Sequence, residues 1–291
     1  MPNWITNIVT PTNKDDWGKL KELLLNDEGA VDFNKVFPVN DDLHITAGCY
    51  EYINPNGYVS SFSQITLDKQ EERITPILSV IYNDTISQED FVQCFVETQL
   101  KDMKKVFKEV YSIHDVATKN GLENILNIVK GYFNLRRYGY VNWYEVQNTK
   151  WGTKWNACES RIDEGTMQIE FETAWSCPFP ILAEISKSVP LTVAFADAFA
   201  DEDIGSNCGL LTINDGECME YASSHNENSE VEGLALALLI KGYDVESYFE
   251  DYTDEEIQEY FICRNQEELI NDILQEQSEI QKVADSLGIR I

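Results

Sequence analysis

Positive charge is what this sequence has least of. Against 51 Asp and Glu it sets only 22 Lys and Arg, a net charge of −29 over 291 residues. A surface of that sign repels nucleic acid and anionic lipid, so neither is expected as a direct ligand. Histidine is scarcer still. His44, His114 and His225 stand far apart and none falls in a metal-binding spacing such as H-E-x-x-H. No histidine metal centre and no bound cofactor is expected. The glycine patterns that cradle phosphates, G-x-x-x-x-G-K-[ST] and G-x-G-x-x-G, are missing, as is the G-x-S-x-G elbow of a serine hydrolase. Long apolar runs are missing too: Leu234 to Ile240 is the longest, well short of the ~20 residues that span a bilayer. The start, Met1-Pro2-Asn3-Trp4, has no basic region leading into an apolar one, so no secretion signal is expected. The seven cysteines (Cys49, Cys94, Cys158, Cys177, Cys208, Cys218 and Cys263) are odd in number and contain no C-x-x-C pair. They read as reduced, cytoplasmic core filler. Cys177 precedes Pro178 with no histidine nearby, which argues for burial rather than catalysis.

What is present is the composition of a folded protein. Apolar residues make up 43%, with 6 Trp, 14 Tyr and 13 Phe. The length allows one large domain or two ordinary ones. Charge is lopsided: residues 1–200 hold 18 basic and 28 acidic side chains, residues 201–291 hold 4 and 23. That acidity either solvates the chain or attracts basic surfaces, including those that normally hold nucleic acid. Asp201-Glu202-Asp203 reads as a loop. It lacks the spaced ladder and distal Glu of a calcium loop, so a solvated turn is the simpler reading.

Local patterning predicts mixed α and β structure. Trp4 to Thr10 reads as a strand ended by Pro11, and Asn13 caps a helix with Trp17, Leu20, Leu23 and Leu24 on one face. Asn54-Pro55-Asn56-Gly57 marks a hairpin within residues 43–67. Ile74 to Tyr82 reads as a strand. Helical spacing follows from Phe91 to Tyr111 and from Leu122 to Leu135. Met167 to Thr173 and Leu191 to Phe199 alternate as strands with one wet face, and Phe179 to Ser188 fits a helix with prolines at its start. Asn214-Asp215-Gly216 predicts a turn between two strands. Asn226 to Glu232 reads as a polar linker before a helix that Gly242 ends. Thr253-Asp254-Glu255-Glu256 and Asn265-Gln266-Glu267-Glu268 predict two further helix starts. The last helix bears an apolar stripe of Leu269, Ile270, Ile273, Leu274, Ile280, Val283, Ala284 and Leu287, for its own core or for a partner.

Three segments, in order, resemble one family: Met1-Pro2-Asn3-Trp4-Ile5-Thr6-Asn7, Trp151-Gly152-Thr153-Lys154-Trp155-Asn156-Ala157, and Phe171 to Pro180. Asp32 to Pro38 adds a fourth. Together they are similar to the YubB-type ferredoxin-like family of phage and plasmid proteins. This chain departs from the pattern at Ile5, where the family has cysteine, and at Cys177, which replaces the first of two prolines. The resemblance implies a β-α-β-β-α-β core, with Trp151, Trp155 and Trp175 packed inside it, and no catalytic residues. The expected fold is therefore α+β: a ferredoxin-like core from 1–38 and 138–222, a mixed α/β insertion at 39–137, and an acidic helical extension at 223–291. The expected function is that of a non-enzymatic phage or mobile-element accessory protein that inhibits a host protein with a basic or nucleic-acid-binding surface, first of all a nuclease-type or other nucleic-acid-binding defence complex. Asp201, Glu202, Asp203, Glu250, Asp251, Asp254, Glu255, Glu256 and Glu259 would bind that partner, the last six as a row at helical spacing, and the exposed stripe would allow homo-oligomers. A divalent-metal enzyme and an inert structural phage protein are the alternatives.

Overall fold

A computed structural model describes residues 3–45, 47, 52–54, 57–59, 134, 137–197, 205–224, 229–260 and 265–291. The chain divides into two compact units, Met1–Pro38 with Gln147–Ile291, and Val39–Val146.

The first unit is built on β1 (Trp4–Pro11), which extends one residue further than the pattern predicts, through Pro11. Asn13 then accepts from the Asp15 amide and starts a 3-10 turn that leads into α1 (Trp17–Leu24). Trp17, Leu20 and Leu24 are buried, as their spacing requires. The later strands of this unit are β4 (Cys158–Asp163), β5 (Gln168–Ala174), β6 (Leu191–Asp197), β7 (Cys208–Asn214) and β8 (Glu217–Ser223). They form one sheet in the order β4-β5-β1-β6-β7-β8, and every neighbouring pair is antiparallel. Helix α3 (Phe179–Ser186) connects β5 to β6, with Pro180 in its first turn, where a missing amide donor costs little. The elements β1-α1-β4-β5-α3-β6 are the expected β-α-β-β-α-β core, and β7–β8 widens its sheet by a hairpin. Asp215 (φ 50°) and Gly216 (φ 81°) turn that hairpin with two left-handed residues in succession.

The C-terminal elements are α4 (Ser229–Lys241), α5 (Val245–Phe249), α6 (Asp254–Tyr260) and α7 (Gln266–Leu287). They do not form a separate tail. Leu234, Leu236, Leu238, Phe249, Leu269, Ile273 and Ile280 cluster with Ile8, Ala194, Ala196, Cys208, Leu210 and Ala222 of the sheet. One expectation changes as a result, and one open choice is decided. β6 is buried on both faces rather than alternating, because these helices cover what would have been its wet side. The α7 stripe is spent on the chain's own core: of its eight members only Leu274 is exposed. The supposed linker is also shorter than predicted, since α4 begins at Ser229. Position 205, at φ 84°, fits α4 through glycine on both sides: a Cβ on Gly233 would collide with the Gly205 carbonyl, and one on Gly205 would lie 2.7 Å from the Leu234 amide nitrogen.

In the second unit, β2 (Tyr52–Asn54) and β3 (Gly57–Val59) form the predicted hairpin, with Asn54 paired to Gly57. Asn134 is buried and donates to the carbonyls of Asp42 (2.8 Å) and Val141 (3.0 Å). The Glu145 carboxylate accepts from the Val141 amide and Asn142 accepts from the Glu145 amide, capping α2 (Trp143–Lys150). The predicted strand at Ile74 to Tyr82 and the helix from Phe91 to Tyr111 lie outside the described residues, as does all but Asn134 of the helix from Leu122 to Leu135.

Overpacking at the glycine contact is testable. Gly233→Ala should destabilise the protein by about 1–3 kcal/mol, read as a Tm lowered by several degrees in calorimetry. An unchanged Tm would mean that the 205 turn moves aside freely.

Candidate functional site

The predicted acidic residues do not form one continuous helical row. Glu250 caps the C-terminus of α5, Asp251 lies in a turn, and Asp254, Glu255 and Glu256 make up the first turn of α6. The break comes from Thr253. Its hydroxyl accepts from the Glu256 amide, while the Glu256 carboxylate accepts from the Thr253 amide (2.9 Å). Those bonds from Thr253 hold the Glu256 carboxyl below its usual value. The Asp254 carboxylate accepts from the Gln266 amide (3.0 Å) and so helps start α7. Glu250, Asp251, Asp254, Glu255 and Glu256 are all exposed. Glu259 falls within α6, and Asp201, Glu202 and Asp203 lie outside the described residues. From Gly242 to Cys263 the sequence has eight Asp and Glu and no Lys or Arg. Tyrosines interleave with these acids. The Tyr243 and Tyr248 ring centroids are 6.2 Å apart, and Tyr248 stacks on Tyr252 at 6.1 Å and 23°.

A second feature was hidden in the sequence. The tryptophans expected as core divide in two. Trp151 is 2% exposed, packs edge-on to Phe33 at 5.7 Å, and donates from Nε1 to the Phe37 carbonyl (2.8 Å). Trp155 and Trp175 are 36% and 43% exposed. The expectation of a packed core therefore holds for Trp151 and fails for the other two. Their centroids lie 5.2 Å apart, tilted by 41°, and Trp4 stands 6.1 Å from Trp155. The Lys154 ammonium lies 4.9 Å from the Trp155 ring centre and 5.1 Å from that of Trp175.

Local bonding explains the exposure. The segment 151–156 is fixed at several points, which leaves its outer side chains no way inward. Thr153 donates to the Ala174 carbonyl (2.8 Å) and Ser176 donates to the Gly152 carbonyl. Gly152, at φ 79°, lies so close to Pro180 that a Cβ would sit 2.5 Å from its Cδ. Asn156 accepts from the Phe33 amide (2.9 Å) and donates to Asp32 (2.8 Å). Trp175 itself has φ 65°, a conformation that costs a bulky residue of order 1–3 kcal/mol. Its amide donates to the Asn3 carbonyl (2.8 Å) and its carbonyl accepts from Asn207 (3.0 Å), which hold it there.

Trp4 pairs with Ala174 and Thr6 with Glu172, so these residues share one face. Glu170 and Glu172 are half-buried on it. The Lys241 ammonium donates to the Thr6 hydroxyl. Burial pulls the pKa of Lys241 down, against the opposing charges of Glu172, Asp197 and Glu170. Cys177 and Cys208 are buried, and desolvation pushes both thiols up, Cys208 to about 12, which removes them as nucleophiles. Among the described residues, no three His, Cys, Asp or Glu gather as a metal site, and no helix is long and apolar enough to cross a membrane.

The strand order and the β-α-β-β-α-β path define a ferredoxin-like α+β domain. Residues 150–237 match the family described as "Ferredoxin-like domain in Api92-like protein". The match runs from the end of α2 into α4. Within the structure, β1 and α1 complete the motif from outside it. No curated protein matches the chain. A crystal structure of protein api92 from Yersinia pseudotuberculosis is similar at 10% identity, covering 77% of this chain and 99% of its own, with a TM-score of 0.33. That likeness is too loose to position any side chain.

The hold on Trp155 depends in part on Asp32. Burial opposes its charge, but hydrogen bonds from the Asn156 side chain and from Asn34 outweigh burial and keep the carboxyl below its ordinary value. A depressed carboxyl stabilises the fold above its unfolded pKa, and the gain is lost as pH falls through the folded value. Asp32→Asn should therefore lower stability at neutral pH and flatten its decline between roughly pH 5 and 2. Denaturant titrations followed by tryptophan fluorescence would check this, and parallel pH profiles for both proteins would refute it.

Proposed function

We propose that the chain is a YubB-type accessory protein of a phage or other mobile element. In this reading it works in the host cytoplasm without catalysis, binding and inhibiting a host protein. The first target is a nuclease-type or other nucleic-acid-binding defence complex, whose basic groove the acidic surface would occupy as a DNA mimic. The observation that supports this reading most is the stretch from Gly242 to Cys263, whose sequence interleaves eight acids and no base with Tyr243, Tyr248 and Tyr252. Arginine is the natural complement of such a surface, since its guanidinium pairs with carboxylates and stacks on aromatic rings. Duplex DNA carries one charge per ~1.7 Å of its axis. Carboxylates crowded at α5 and α6 offer a comparable density to a groove evolved to hold phosphates. Asp254 and Glu256 serve as helix caps, which makes Glu250, Asp251 and Glu255 the better probes of binding.

Affinity capture from host lysate at low and moderate salt, followed by mass spectrometry, should recover a stoichiometric partner with nucleic-acid-binding character. Reversing Glu250, Asp251 and Glu255 to Lys should weaken capture by about 2.7 kcal/mol, roughly a hundredfold in Kd. Added salt should act in the same direction. Capture that is indifferent to both charge and salt would sink the acidic-surface reading.

A further inference from the structure

We propose that Trp155 and Trp175, backed by Trp4, form an anchor for an arginine side chain of a basic partner protein, at a place separate in sequence from the acidic helices. Four observations converge on it. The two rings are among the large apolar side chains left exposed, and they adjoin each other at 5.2 Å. They already take a cation, since the Lys154 ammonium lies about equally close to both rings. Trp175 is kept in a left-handed backbone conformation by bonds to Asn3 and Asn207. Strain maintained in this way fixes where the indole points, and it is typical of sites that must be ready before a ligand arrives. Finally, the neighbouring sheet face supplies half-buried carboxylates: Glu172 stands two residues from Ala174, the partner of Trp4. An indole pair next to carboxylates, on a chain of net charge −29, selects a cation over an anion. Arginine fits better than lysine because a planar guanidinium stacks on one ring while its edge reaches a carboxylate.

The anchor rests on the reading that the partner is a basic protein, and the test separates the two claims. Full-length protein would be titrated with a short arginine–glycine repeat peptide and with its lysine counterpart at physiological salt, by calorimetry and tryptophan fluorescence. The arginine peptide should bind more tightly and change the emission. Trp155→Ala should weaken binding about tenfold, and Trp155→Tyr should restore most of it with unaltered circular dichroism. Lys154→Met removes the resident cation and should tighten binding several-fold, an effect that a purely structural role for the tryptophans would not produce. Binding that falls on reversal of Glu250, Asp251 and Glu255 but not on Trp155→Ala overturns the anchor and leaves the acidic surface standing. Binding that falls only with Trp155→Ala supports the anchor and sinks the acidic surface. No binding of either peptide overturns both, and preference for an oligothymidylate over the peptides overturns the anchor as a cation site.

Discussion

The sheet depends on β1 finding its partners far along the chain. β1 lies between β5 and β6, and its Asn7 side chain, fully buried, reaches the Phe171 carbonyl and the Thr173 hydroxyl. Both contacts span more than 160 residues of sequence. Loop closure on that scale is slow to achieve but grows only logarithmically in cost. Once β1 is seated, its two faces dictate everything above and below it. Ile5 and Val9 are buried on one side, and Ile8 enters the cluster that receives the C-terminal helices on the other.

The acidic C-terminal region shows how local packing overrides net charge. Residues 201–291 hold 23 acids against 4 bases, yet the helices in this region are bound to the sheet through a continuous apolar cluster. The charges are placed outward, on α5, on α6 and on the outer side of α7, where water screens them. α4, pressed between the sheet and α7, is apolar all round through residues 234–238, as a fully buried helix must be. The same chain can be self-repelling over long range and well packed at contact distance.

Much of the fold was legible because its signals are local. The Asn13 cap, the Thr253 and Asn265 starts, the Asp215-Gly216 turn and the prolines of α3 each act within a few residues, and each stands where the pattern put it. What escaped the sequence needed knowledge of distant cover. β6 carries the same alternation as a strand with one wet face, and only the presence of α4 makes both its sides dry. Trp151 and Trp155 are four residues apart in one motif, so composition cannot say which is core. The difference comes from hydrogen bonds to Phe37 and Asp32, far back in the chain. The acids from Glu250 to Glu259 keep helical spacing across Thr253, but the Thr253 cap ends one helix there and starts another.

The bond from Trp151 to the Phe37 carbonyl has an architectural consequence. Phe37 stands at the point where the chain leaves the first unit, and Trp151 stands just after it returns, with Lys150 also 5.4 Å from the Phe37 ring. Departure and return are thereby stapled at one spot on the ferredoxin-like scaffold. The first unit therefore fixes both ends of the intervening segment with its own residues, so the strand register at this point rests on contacts made inside that unit.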